Sequence, residues 1–330
     1  MTGYDGIWVL VETGPQGWAK PVGLELMTPA LELKAHSGHP VTAVVIGSGV
    51  TPAAGQAAAH GADRLLVVDH PDYARYATET YAHALTQLIL EHRPQVVLLG
   101  ATPNGRDLAP RVACRLQTGL TADCTGIGWD GDRQLVRWTR PAFSGNMMAE
   151  ILCPTARPQM GTVRPGVFPR RERPAVGEPE RLDALVPLPQ GLPLLRVLEE
   201  AQAQDTSGHL DEAALILAGG RGLGGPQGFQ LLSSLAQKLG GAVGATRAAV
   251  EAGWIAHSHQ IGQTGLSVGP KVYLACGISG AVQHLAGIGA ADLVIAINPD
   301  PDAPIFRHAD YGIVGEALPI LRQLDRLLES

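Results

Sequence analysis

Short apolar runs alternating with longer stretches of helical period constrain the fold of this 330-residue chain more than any other feature. Ile7–Val11 is uninterrupted apolar sequence. Leu24–Ala35 then repeats Leu24, Met27, Leu31 and Ala35 at helical spacing, with Gly38 as the predicted stop. Val41–Ile46, Leu65–Val68 and Val96–Leu99 repeat the strand pattern, and Pro52–His60 and Tyr76–Glu91 the helical one. Strands without polar alternation are buried on both faces. Helices long enough to cross between them demand right-handed βαβ units, hence a parallel sheet covered on either side.

Leu108–Leu116 adds a helix, after which the sequence reads as irregular up to Leu135–Arg140, Met147–Cys153 and Gln159–Arg164, three shorter strands of the same domain. Prolines recur from Pro165 to Pro193, and a residue that cannot donate to a ladder marks a crossing segment. That segment continues through Leu195–Gly208, is compatible with a hinge, and places a boundary between residues 1–205 and 206–330. The alternation resumes at Ala213–Ala218, followed by a helix over Pro226–Leu239 with Phe229, Leu232, Leu235 and Leu239 on one face and Gly240–Gly241 as its end. Val272–Cys276, Leu293–Ile297 and Gly312–Val314 are further strands. Ser279 suits the N-cap of a helix over Gly280–Ala286, and Glu316–Leu328 closes the chain. The predicted class is α/β: an N-terminal parallel-sheet, nucleotide-binding-like domain and a smaller C-terminal α/β domain.

The net charge of −6 is spread along the chain and no basic run marks a nucleic-acid partner. No stretch approaches the roughly 18 apolar residues of a membrane span, and Met1–Glu12 lacks the pattern of a leader. Cys114, Cys124, Cys153 and Cys276 form no CxxC pair, so reduced thiols in a cytoplasmic protein are expected and a metal site is not. His257 and His259 read as surface residues.

Candidate chemistry is confined to the C-terminal part. Gly220-x-Gly222-x-x-Gly225 lies between a strand and a helix, where glycines let backbone N–H groups and a helix N-terminus meet a pyrophosphate; the alternative is a plain tight turn. Arg221 within it suits a phosphate. Arg247 is a cation in small apolar sequence, which a solvated surface residue also explains. Gln260–Gly265 offers amides and a hydroxyl between glycines, and Gly277–His284 opens a helix with Ser, Gln and His, although a lone His is more often structural. Asn298 and Asp310 follow strand-like segments, at the ends where such domains bind ligands. With no nucleophile elbow or metal motif, the residues point to a protein that holds a nucleotide-type cofactor whose identity stays open.

Taken together, Gly219–Gly222, Val243–Val250, Gly262–Gly265, Gly277–Gly287, Ala296–Phe306 and Ala309–Val314 resemble the alpha subunit of electron-transfer flavoprotein. The resemblance implies FAD held by the C-terminal domain, residues 206–330, and a beta subunit packed on residues 1–205. By position it gives Arg221 and Thr246 the phosphate and ribityl region, Arg247 the isoalloxazine face, and Gln263 and Thr264 its polar edge. Gln260, Ile261, Gly262 and Gly277 are assigned to the cofactor. Ser279, Gly280, Ala281, Val282, Gln283 and His284 line the flavin, with His284 near O2 and N1. Asn298 and Asp310 hold the adenosine.

A cation or hydrogen-bond donor near that ring stabilises the negative charge of an added electron, and Arg247 and His284 together would raise the potential by about 100 mV. The implied function is electron carriage from dehydrogenases of the acyl-CoA dehydrogenase type to a further flavoprotein or quinone reductase. Thr121–Gly126 and Arg157–Gly166 resemble segments of flavin-based bifurcating, NADH-oxidising members, a second reading. A non-redox nucleotide-binding module is a third.

Overall fold

A computed structural model describes residues 3–142, 147–173, 177–188, 210, 213–289 and 291–328. The chain divides into two units, Met1–Glu199 and Glu200–Ser330. The expected boundary at 205/206 and the segment 195–208 lie outside the described residues.

The first unit is built on strands β1 (Ile7–Leu10), β2 (Val41–Gly47), β3 (Arg64–Asp69), β4 (Val96–Gly100), β5 (Leu120–Cys124), β9 (Gln159–Val163) and β10 (Glu180–Asp183) in the order β10-β3-β2-β1-β4-β9-β5. Every pairing is parallel. Helices α1 (Pro21–Glu25), α2 (Met27–Ser37), α3 (Thr51–Ala59), α4 (Thr78–His92) and α5 (Pro103–Leu116) connect the strands. Alternate strand residues feed two cores: Val9, Val45 and Leu98 on the face of α2 and α3, Leu10, Ile46 and Leu99 on the face of α4 and α5. Gly38 ends α2 in the left-handed region, as predicted.

One detail adds to the sequence reading and two differ from it. Leu135–Ala142 (β7) and Met147–Ile151 (β8) do not join the parallel sheet; with Gly126–Asp130 (β6) they form an antiparallel sheet ordered β6-β7-β8. Trp138 of β7 seats on β9, where a Cβ on Gly161 would lie 2.2 Å from the indole ring. Residues 120–130, read as irregular, are strands whose signal is broken by Asp123 at φ 61° and by Gly126 and Gly128. The proline-rich crossing segment contains β10, an exposed edge strand whose single apolar residue, Leu182, sets no apolar pattern.

The second unit is a five-stranded parallel sheet ordered β12-β11-β13-β14-β15, from β11 (Leu215–Gly219), β12 (Ala242–Ala245), β13 (Val272–Cys276), β14 (Val294–Asn298) and β15 (Tyr311–Val314). Leu217, Cys276 and Ile297 pack under α6 (Pro226–Leu239) and α9 (Ala317–Leu327), which Lys238 and Asp325 join at 2.8 Å. Ile216, Ala218, Tyr273, Ala275 and Ala296 line the other core with Ile261, Ile288 and Ile305. Leu239, placed on the buried face of α6 by periodicity, is 39% exposed beside the Gly240 stop. Short helices α7 (Arg247–Glu251) and α8 (Val282–Leu285) follow β12 and β13. All four cysteines are free thiols. Among the described residues no helix is long and apolar enough to cross a membrane.

Candidate functional site

Parallel strands deliver their following loops to one edge, and the carboxyl edge of the second sheet gathers most of the expected residues. The Gly219–Gly225 turn follows β11, Thr246–Arg247 follows β12, Gly277–Gly280 follows β13, and Asn298 ends β14. Gly222 N–H donates to Gly277 O at 3.0 Å and Gly220 N–H to Cys276 O at 2.9 Å, so the first and third loops touch backbone to backbone. A Cβ on Gly220 would sit 2.3 Å from Gly277 O, and one on Gly222 2.6 Å from Gly277 Cα. Gly224 caps the turn at φ 71°, with open space around it, and Pro226 occupies the first position of α6.

Thr246 N–H donates to Gly219 O at 3.0 Å, which fixes the residue between these loops. Its hydroxyl oxygen is buried and has no hydrogen-bond partner among the described residues. Arg221 is exposed. Arg247 is 64% exposed and its Nε meets Glu251 Oε1 at 2.8 Å, one turn on along α7. Exposed pairs of this kind contribute about 0.3–0.5 kcal/mol, so Arg247 is easily redirected.

The Gln260–Leu266 loop is pinned to the same edge. Ile261 N–H donates to Ala245 O at 2.9 Å and Gln263 N–H to Gln283 O at 2.7 Å, while Gln260 Nε2 donates to Thr264 Oγ1 at 3.0 Å. Gln263 and Thr264 are exposed; Gln260 and Ile261 are buried. The Ile261 side chain fills the space a Cβ on Gly244 would need, 2.3 Å away. Gly262 takes φ 141° with Gln283 O 2.8 Å from where its Cβ would be, so the close contact requires glycine.

Around α8, Ser279, Ala281, Val282 and Gln283 are exposed. Ser279 is not the N-cap. Gly280 at φ 86° interrupts the backbone, the helix begins only at Val282 with Ala281 as cap, and Ser279 O instead accepts Ile305 N–H at 3.0 Å.

His284 turns inward, 6% exposed, with Nδ1 3.1 Å from Ile261 O and Nε2 2.9 Å from Tyr273 Oη. Burial pulls its pKa down to about 4, only partly opposed by the Ile261 bond, so the ring is neutral near pH 7. A neutral His284 carries no positive charge, so it can act toward a ligand only as a neutral hydrogen-bonding ring, whereas Arg247 presents an exposed guanidinium.

Two further corrections concern position. Asp310 is not at the carboxyl edge: it precedes β15, and its Oδ2 accepts Val294 N–H at 2.8 Å at the opposite end of β14 from Asn298. Four strand steps separate the two residues, roughly 13 Å. Two exposed acidic residues adjoin Asn298: Asp300, two residues on, and Glu316 at the N-cap of α9, preceded by Gly315, whose N–H donates to Asn298 O at 3.0 Å. Asn298 itself is buried, Nδ2 donating to Ile278 O at 2.8 Å and Oδ1 accepting Asp300 N–H at 2.9 Å. His259 is buried, not a surface residue, because Nδ1 bonds Val243 O at 2.7 Å; His257 is exposed. Among the described residues no cluster of His, Cys, Asp or Glu could hold a metal.

Comparison with known proteins decides the family. The Electron transfer flavoprotein domain matches residues 7–185 and the Electron transfer flavoprotein FAD-binding domain residues 209–289. The chain belongs to the electron transfer flavoprotein alpha subunits. An "Electron transfer flavoprotein subunit alpha" of Thermoanaerobacterium thermosaccharolyticum is 47% identical over 321 residues, covering 97% of each chain. One of Megasphaera elsdenii is 46% identical over 329 residues, covering 99% of this chain and 97% of that one. "Lactate dehydrogenase (NAD(+),ferredoxin) subunit LctC" of Acetobacterium woodii is 41% identical over 330 residues, covering 99% and 78%. Alpha subunits of this family pair with a beta subunit.

FAD is the cofactor of this electron transfer flavoprotein subunit, and the carboxyl edge fits it. Glycines that admit no Cβ bring three backbone loops together, and the unpartnered Thr246 hydroxyl is a buried group that a ligand oxygen or N–H would satisfy. We expect Thr246→Val to weaken FAD affinity about tenfold while leaving the FAD-free protein as stable or up to about 1 kcal/mol more so, because it removes a buried hydroxyl without a partner. Fluorescence titration with FAD and urea unfolding of the FAD-free chain measure the two effects.

Proposed function

We propose that this alpha subunit, as a heterodimer with a beta subunit, receives electrons from dehydrogenases of the acyl-CoA dehydrogenase type and delivers them to a further flavoprotein or quinone reductase. Residues 1–205 pack on the beta subunit and 206–330 bind FAD. Bound FAD supplies reversible acceptance of one electron at a time. The observation that carries the reading is the convergence of the 220–225, 246–247 and 277–280 loops on one sheet edge.

In this reading Arg221 and the Thr246 hydroxyl hold the phosphate and ribityl region, and Gly220, Gly222 and Gly277 let backbone approach closely. Gln263 and Thr264 face the polar edge of the ring system. Ser279–Gln283 line it, Asn298 holds the adenosine end, and Glu316 takes the adenosine contact first expected of Asp310. Arg247 leaves Glu251 to lie against the ring. The thiol state of the cysteines suits a reducing cytoplasm.

An Arg247 contact of about 1.4 kcal/mol with the added negative charge corresponds to about 60 mV for one electron. Arg247→Ala is therefore expected to lower the flavin midpoint potential by about 60 mV, and Glu251→Gln to raise it by less. Spectroelectrochemical titration of the FAD-loaded heterodimer measures both; an unmoved potential in Arg247→Ala removes the assignment. Mixing the heterodimer with acyl-CoA and an acyl-CoA dehydrogenase should bleach the flavin, and failure to bleach overturns the dehydrogenase link.

A second reading, a bifurcating NADH-oxidising complex, is favoured by the LctC relative, whose name joins NAD(+) and ferredoxin. The likeness of 121–126 and 157–166 to segments of bifurcating members points the same way, and in the fold these two segments are neighbours. There Asp123 N–H donates to Thr162 Oγ1 at 3.0 Å, and the Arg164 guanidinium clamps the Asp123 carboxylate at 2.6 and 3.0 Å. Two FAD per heterodimer, in place of one FAD and one AMP, would establish it.

A further inference from the structure

The buried hydroxyl of Tyr273 has no part in the function described so far, yet it sits at the start of a directed chain. Tyr273 is fully buried on β13, which keeps its hydroxyl protonated well above the ordinary range. Its oxygen lies 2.9 Å from His284 Nε2, and His284 Nδ1 lies 3.1 Å from the carbonyl oxygen of Ile261. A carbonyl can only accept, so Nδ1 must carry the imidazole proton. A neutral ring with its proton on Nδ1 has a bare lone pair on Nε2, so Tyr273 must be the donor there. The polarity runs one way: Tyr273 O–H to His284 Nε2, His284 Nδ1–H to Ile261 O.

The far end of the chain is the tight loop that carries Gln263 and Thr264. The loop closes through Gly265 N–H to Gly262 O at 3.0 Å and Gly262 N–H to Leu266 O at 3.0 Å, and Ile261 is the residue from which it springs. A Cβ on Gly287 would lie 2.5 Å from Gly262 N, so the loop and the segment after α8 are in direct contact and a small displacement of one moves the other.

We propose that Tyr273 is a positioning residue which, by donating to His284 Nε2, fixes the imidazole as its Nδ1–H tautomer and thereby holds the Ile261 carbonyl and the Gly262–Gly265 loop in place. The chain itself stands on the distances above. Its effect on the flavin rests on the placement of Gln263 and Thr264 proposed in the preceding section.

The test uses the FAD-loaded heterodimer and, separately, the heterodimer after FAD removal, each with 15N-labelled histidine. In the unaltered protein the His284 ring is expected to report a protonated Nδ1 and an unprotonated, hydrogen-bonded Nε2, with or without FAD. A ring protonated on Nε2, or one averaging between tautomers, overturns the proposal without any variant. Tyr273→Phe keeps the ring packing and removes only the donor. It should shift His284 toward a tautomer mixture and speed hydrogen exchange of the 262–266 amides about tenfold. Unchanged exchange and an unchanged ring spectrum overturn the positioning role. The flavin potential in the same variant separates the two claims. A shift that accompanies faster exchange supports both. Faster exchange with an unmoved potential supports the positioning role and instead refutes the placement of Gln263 and Thr264 at the flavin.

Discussion

Gly222→Ala is expected to abolish FAD retention and to destabilise the C-terminal domain by about 3 kcal/mol. The new methyl group would lie 2.6 Å from Gly277 Cα and 3.0 Å from Gly277 O. Both are backbone atoms, so no side-chain rotation can relieve the contact, and overpacking of this kind costs about 1–3 kcal/mol or more. Separating the two loops also breaks the Gly222 N–H to Gly277 O bond at 3.0 Å and opens the edge that the proposed cofactor contacts share. Gly224→Ala is the control. Among the described residues nothing lies within 4 Å of its Cβ, and the φ of 71° opposes the change, at a cost of about 1 kcal/mol. The ratio of flavin to protein absorbance and the urea midpoint report both variants. A Gly222→Ala protein with full FAD and an unchanged midpoint would contradict the loop contact described above.

Acidification should destabilise the same domain before its carboxylates titrate. The folded-state pKa of His284 is depressed from 6.5 to about 4. Between those values the unfolded chain binds a proton that the folded chain refuses, so stability is complete above pH 6.5 and declines as pH falls toward 4. Integrated over that window the loss is about 3 kcal/mol. His284→Gln removes the titrating group and should flatten this part of the stability profile, although it lowers the plateau by breaking the bonds to Tyr273 and Ile261. Urea unfolding from pH 7 to 4.5, followed by hydrogen exchange of C-terminal amides, compares the two slopes. Equal slopes would mean that His284 is not the group responsible.

The parallel sheets were legible because their strands are apolar on both faces and their helices obey a single period. The α2 pattern was legible in kind but not in phase: Met27, Ala30 and Leu33 are buried, while Ala35 is exposed. Several apolar residues at spacings of three and four allow two overlapping faces, and only the neighbouring sheet selects one. The antiparallel β6–β8 sheet was not separable from the parallel one, because strand pattern carries no partner information. In the site, the glycine turns were legible, since contacts that exclude a Cβ leave glycine as their trace. The direction of a side chain was not: His284 faces inward and Asp310 lies at the amino edge, and neither fact has a local signal.

By itself the sequence determined two α/β domains, their helix and strand types, and the segments from which a cofactor site would be assembled, because periodicity and glycine placement are local properties of the chain. Tertiary structure alone decided which residues share an edge, since strand order and strand direction are set by pairings between distant segments. It also decided the charge of His284, because protonation depends on how much water and which partners the fold leaves to the ring.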